Sequence, residues 1–178
     1  MTIGTVSNST VYSGSTMQPV LAFKAKASNS DIAIQRVKLD LGTASNIYSK
    51  VYSKSYLVDD SGNTIASSDL NSNSVVKDGS IYYITLSGFS SVVPKEATRN
   101  YTLKVDVRSI STGSSDLTSH TVRLAANGVR GQDGAGIDQY SPTLVTDVSK
   151  AITAAATLSD SATLAISTSA TTPLAREI

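Results

Sequence analysis

The chain contains no cysteine, no tryptophan and a single histidine, His120. Without cysteine there is no disulfide, no thiolate metal ligand and no thiol nucleophile. One histidine cannot supply a histidine metal set, and a catalytic triad needs partners arranged around it. No nucleophile-elbow motif frames any serine, so His120, at the start of a strand-like segment, is expected at the surface. Glutamate occurs only at positions 96 and 177, and strong helix formers do not cluster. Charge of one sign is also missing, since 15 basic residues face 14 acidic ones for a net charge of +1. That balance gives no reason to expect nucleic acid or an anionic membrane surface as partner. No apolar run is long enough for a membrane-spanning helix, so no membrane insertion is expected. The opening "MTIGTVSNST" lacks the basic and apolar regions of a secretory leader, and we expect a mature or excised fragment. "GQDGAG" lacks the lysine and the spacing of a phosphate-binding loop.

What the sequence does hold is serine, threonine, valine and isoleucine, punctuated by Gly and Asn turns, a composition that favours strands. The 178 residues, 40% of them hydrophobic, suit one domain with a core, or one domain plus an extension. "VLAFKAKA", residues 20–27, alternates with period two: Leu21, Phe23, Ala25 and Ala27 face one way, Ala22, Lys24 and Lys26 the other. In "DIAIQRVKLDL" the parity slips, because Ile32 and Ile34 share one face register while Val37, Leu39 and Leu41 share the other. A bulge near Gln35–Arg36 reconciles them.

"KSYLVDDSGNTIASS", 54–68, reads as a hairpin turned by Asp60, Ser61, Gly62 and Asn63. "DGSIYYITLSG", 78–88, is a further strand bounded by turn residues. In "VVPKEATRNYTLKVDV" a turn at Pro94–Lys95 precedes a strand whose Tyr101, Leu103, Val105 and Val107 share one face. "HTVRLAANGV" directs Val122, Leu124 and Ala126 inward, and "RGQDGAGIDQYSP" is a glycine-rich loop. About eight to ten short strands at regular spacing, without helices, predict an all-β fold: an antiparallel β-sandwich, Ig-like, with a closed barrel as the alternative. The sandwich is expected over residues 1–150. Residues 151–178 form a strand-like C-terminal extension: last strands, a linker to a next repeat, or a strand donated to a neighbour.

Four carboxylates are candidate Ca²⁺ ligands: Asp59 and Asp60 in the hairpin turn, Asp133 and Asp138 in the glycine-rich loop. Calcium takes six to eight oxygens, many of them from loop carboxylates and carbonyls. Turn chemistry explains the same residues, since Asp and Gly are what tight turns use. Tyr48, Tyr52 and Tyr140 are candidates for stacking on sugars. Asn8 and Asn100 match the N-glycosylation sequon, with Asn100 exposed beside the inward Tyr101. Lysine, Asn and Asp on neighbouring strands are candidates for an intramolecular isopeptide bond. No two carboxylates share a strand pattern that aims them into one cleft, so an enzyme is not expected.

Phe89, Val93, Pro94, Tyr101, Leu103, Val105, Asp106 and Val107 carry a resemblance. The segment "GFSSVVPKEATRNYTLKVDV" resembles the recurring tandem β-sandwich (Ig-like) module of prokaryotic cell-surface proteins, S-layer-like and adhesin-like. "PVLAFKAKASNSDIAIQRVKLDL" is similar to that module's opening strands, and "VRLAANGVRGQDGAGI" to its late strand and loop. The tail, 161–178, is similar to the Thr/Ser-rich strand that opens a unit in tandem arrays. The resemblance implies no catalytic residues. It implies a non-enzymatic extracellular structural protein, a subunit or repeat of a surface layer, filament or stalk, whose partners are copies of itself or neighbouring repeats. The alternative is a carbohydrate- or protein-binding module of an adhesin or glycoside hydrolase, with glycans as partners. A viral capsid or decoration domain is a third reading.

Overall fold

A computed structural model describes residues 2–6, 9–116, 118–144 and 146–156. Period-two alternation is what the structure turns into strands. Twelve strands follow in chain order: β1 Thr2–Ile3, β2 Thr10–Tyr12, β3 Gln18–Lys26, β4 Ile32–Asp40, β5 Tyr52–Val58, β6 Thr64–Asp69, β7 Val75–Asp78, β8 Ile81–Val93, β9 Thr98–Val107, β10 Ser119–Asp133, β11 Asp138–Ser141 and β12 Ser149–Ala155. One sheet has the order β1-β3-β9-β5-β6 and the other β2-β12-β10-β4-β8-β7, with β11 pairing β10. All pairings are antiparallel except that of β12 with β2. The two sheets face each other across the core, as expected for an all-β sandwich.

The central strands follow immunoglobulin order, and the outer ones do not. β4, β8 and β7 lie side by side in one sheet, and β9, β5 and β6 in the other. These are the places of strands B, E, D and F, C, C′ in immunoglobulin sandwiches. There the first strand sits beside B and the last beside F. Here β3 pairs β9 and β10 pairs β4, so the first and last long strands have exchanged sheets.

The core consists of the inward residues of both sheets. Phe23, Tyr101, Leu21, Leu57 and Leu103 from one meet Ile34, Leu39, Ile84, Leu86 and Leu124 from the other, all buried. Each such side chain stabilises the fold by about 1.5–3 kcal/mol relative to exposure. Phe23 and Tyr101 stack with centroids 5.2 Å apart and planes at 22°. The Tyr101 hydroxyl, which has no water to turn to, hydrogen-bonds the Ser91 Oγ at 2.8 Å.

The bulge in β4 stands where the parity slip places it. Its register with β8 shifts between Ile34 and Arg36, and its register with β10 shifts at the same point. One inserted residue, Gln35, lets Ile34, Val37 and Leu39 all point inward. The hairpin turn also falls between β5 and β6, with Gly62 at φ 86°.

Several expectations are corrected. "IYYITLSG" and "FSSVV" are one 13-residue strand, β8. Gly88 at φ 81° bulges it, so that Ile84 and Leu86 before the bulge and Ser91 and Val93 after it are all buried. Ala126 is exposed and Ala125 buried, because β10 bulges between Leu124 and Val129. A single π-type turn, Ile47–Val51, interrupts the strands and buries Ile47 and Val51. Residues 151–155, the start of the expected extension, belong to β12, in which 151–153 pair with β10 and 153–155 with β2. Residues 157–178 of that extension lie outside the described residues, as does Asn8.

Candidate functional site

Turns at one end of the sandwich hold the four aspartates predicted from sequence. Asp59 closes the β5–β6 turn: its Oδ1 accepts from the Ser61 N–H at 3.0 Å and the Asn63 N–H at 2.8 Å. Desolvation pushes its carboxyl up, but the hydrogen bonds from Asn63 and Ser61 and the charge of Arg99 prevail and hold it below the usual value. Asp60, beside it, is exposed. Asp133 does the same work between β10 and β11. Its Oδ1 accepts from the N–H groups of Ala135 and Ile137, both at 2.9 Å. The bond from Ile137 is the main reason its carboxyl is held below the ordinary value. Asp138 meets Arg130 at 3.8 Å and accepts from the Tyr140 hydroxyl at 3.2 Å.

The turns of this end brace each other. Asp31 accepts from the Lys95 N–H at 2.7 Å, Glu96 from the Asn29 N–H at 3.1 Å, and Ser30 Oγ from the Gly134 N–H at 3.2 Å. Carboxylates that accept backbone N–H groups are structural parts of turns. Among the described residues, no three His, Cys, Asp or Glu side chains come together as a metal site. Between β3, the Ser28–Ser30 turn, β10 and β11 lies a cleft of about 410 Å³, with Lys26, Asp133, Gln139 and Tyr140 at its walls. Tyr140 is 51% exposed, and the Arg36 guanidinium lies 5.8 Å from its ring centroid.

The other proposed tyrosines are not free for sugars. Tyr52 is fully buried, and burial alone pushes its hydroxyl far above the ordinary value. Tyr48 is half-buried and packs on Tyr82, with centroids 5.1 Å apart. Tyr52 starts β5 directly after the buried Val51, so the π-type turn carries it inward. His120 is likewise not a surface residue. It shares parity with Val122 and Leu124, both buried, and alternation turns it inward. Its Nε2 lies 2.6 Å from the Tyr52 hydroxyl, with the rings edge to face at 5.2 Å. Burial holds the imidazole below its ordinary value, the Thr118 carbonyl opposing.

The chain matches no protein-family model, no curated protein and no solved structure. Its function must be read from its own geometry. No helix among the described residues is long and apolar enough to cross a membrane.

Asp106, in the segment that carries the resemblance, ties three elements together. Its Oδ2 accepts from the Tyr56 hydroxyl at 2.6 Å and its Oδ1 from the Met17 N–H at 2.8 Å. The hydrogen bond to Asp106 is the main cause that pushes the Tyr56 hydroxyl up to about 12. Lys50 and Asn46 both reach Asp116, at 3.6 Å and 3.4 Å. The lysine and amide lie one helical turn apart and Lys50 is 64% exposed, so a bond between them would cross-link no strands.

Sequence reasoning missed one polar constellation. The pairing of β4 with β10 stops at Asp40, opposite Arg123, while β10 begins earlier, at Ser119. The slot left beside β10 is a cleft of about 270 Å³, lined by Asp40, Thr43, Ser119, His120, Thr121 and Arg123 among others. Asp40 is 1% exposed. Its Oδ1 accepts from the Gly42 N–H at 2.7 Å, and its Oδ2 has no partner.

Proposed function

We propose that the chain is a non-enzymatic, extracellular structural module: a β-sandwich subunit or repeat of a surface layer, filament or stalk that joins copies of itself by strand addition. One observation supports this reading above the others. β6 is an edge strand of six residues, Thr64–Asp69, small and polar, whose only hydrogen-bonded strand neighbour among the described residues is β5. An open edge is a template for another strand, which gains affinity from backbone hydrogen bonds and needs no chemistry. Leu70 donates its N–H to Ser53, so by alternation Ser67 directs its N–H and C=O away from β5. The braced turns suit a load-bearing unit. The resemblance to cell-surface modules agrees with it.

The test is assembly. The purified chain should polymerise on concentration, as seen by light scattering and electron microscopy. Ser67→Pro removes one outward N–H without touching the β5 ladder, and should stop assembly while leaving the thermal melt of the monomer nearly unchanged. A wild-type chain that stays monomeric at all concentrations would count against the reading.

The 410 Å³ cleft with Tyr140 at its wall favours a second reading, a carbohydrate-binding module. Saturable retention on a polysaccharide column that Tyr140→Ala abolishes would select it.

A further inference from the structure

Asp40 and Arg123 stand directly opposite each other on adjacent antiparallel strands. Their side chains therefore share the outer face of the sheet, with Cβ atoms about 4.5–5.5 Å apart. Opposite charges in that position attract, and where they meet they form a charge-assisted hydrogen bond. Here they do not. Asp40 keeps one oxygen buried and unpartnered, and the Arg123 guanidinium has no hydrogen-bond or ion-pair partner among the described residues. A buried acceptor left without a donor costs about 1–3 kcal/mol, and such a group in a folded protein needs an explanation. Both residues line the same cleft.

The rest of the wall narrows the chemistry. Thr43, Ser119 and Thr121 contribute hydroxyls, His120 an imidazole, and Leu41, Ile47 and Ile81 an apolar surface. A cation at the carboxylate would face the Arg123 guanidinium, and an anion at the guanidinium would face the Asp40 carboxylate. A neutral hydroxyl satisfies both, since it donates to one oxygen and accepts from one guanidinium N–H. The volume, about 270 Å³, lies just under the 300–1,000 Å³ or so of drug-sized ligand sites, so the occupant is small.

We propose that the cleft beside Asp40 and Arg123 binds one neutral sugar unit, with the Asp40 carboxylate turning into the cleft so that a ring hydroxyl bridges it and the Arg123 guanidinium. This site is separate from Tyr140 and from the open edge of β6, and does not depend on how copies assemble. It would let a structural module hold a glycan while its edges hold neighbours.

The experiment is an NMR titration of the isotope-labelled chain with D-glucose, D-galactose, D-mannose and N-acetyl-D-glucosamine in turn, with glycine and calcium chloride as comparison ligands. At least one sugar should give saturable shifts centred on Asp40, Thr121 and Arg123. Asp40→Asn, which keeps the shape, and Arg123→Met, which keeps the stem of a partly exposed side chain, should each weaken that binding about tenfold or more. Should Asp40→Asn fail to fold, Arg123→Met still decides. No saturable shift with any sugar would overturn the proposal, as would sugar binding that neither variant weakens. Stronger shifts with glycine would make the site one for zwitterions, and stronger shifts with calcium would make it a cation site; either overturns it.

Discussion

Tyr101 tests whether the core is held by the hydrogen bond it encloses as well as by its packing. Replacing it with Phe keeps the ring stacked on Phe23 at 5.2 Å and removes only the hydroxyl, which lies 2.8 Å from Ser91 Oγ. Ser91 is 7% exposed, so its hydroxyl loses its partner with little access to water. Leaving a buried polar group unpaired costs about 1–3 kcal/mol. Ser91→Ala should cost a similar amount, by orphaning the tyrosine instead. Removing both partners leaves nothing unpaired, so the double variant should recover most of one loss, with a coupling of about 1–2 kcal/mol. Urea unfolding with an unchanged slope reads the three differences. In a domain of this size each kcal/mol also lowers Tm by about 2–4 °C. A double variant whose loss equals the sum of the two single losses would refute the reasoning. The hydroxyls would then act independently.

Further expectations follow from the same structure. His120 is held below its ordinary value in the fold, so the unfolded chain takes up a proton first as pH falls. Stability should be complete above the unfolded value of about 6.5 and decline as pH drops through the folded value. His120→Gln should flatten this slope in melts taken below about pH 6.5. The turn aspartates Asp59 and Asp133 are depressed below 3.8, so their contribution is lost only at lower pH. Gly128→Ala would place a Cβ 2.6 Å from the Lys38 carbonyl oxygen; backbone cannot yield as a side chain does, and a loss of about 1–3 kcal/mol or more is expected by chemical denaturation. Calcium and EDTA should leave Tm unchanged, because the oxygens of Asp59 and Asp133 already serve N–H groups of their own turns; a clear rise with calcium would restore the metal reading.

What the sequence disclosed and what it hid divide along physical lines. The parity slip at Gln35, the inward row Tyr101–Leu103–Val105–Val107 and the Asp60–Asn63 turn of the β5–β6 hairpin are local signals. Each depends on residues a few places apart, and the fold obeys them. Gly88 hid the continuity of β8, since a glycine between two alternating runs reads as a turn when it is a bulge. The second bulge, after Leu124, moved Ala125 rather than Ala126 inward for the same reason. Tyr52 was misplaced because a tyrosine beside lysines and serines looks exposed, and only the turn before it explains its burial. The pairing of Asp40 with Arg123 cannot be seen in the chain at all. It exists because β10 pairs β4, the exchange of outer strands by which this sandwich departs from immunoglobulin order.

The claim that copies join along the open edge of β6 is met most directly by amide hydrogen exchange at Ser67. In dilute monomer its N–H faces solvent and should exchange quickly. In the assembled protein it should be strongly protected, while Ser68, whose N–H points to β5, changes little. Equal exchange at Ser67 in monomer and assembly would contradict the account.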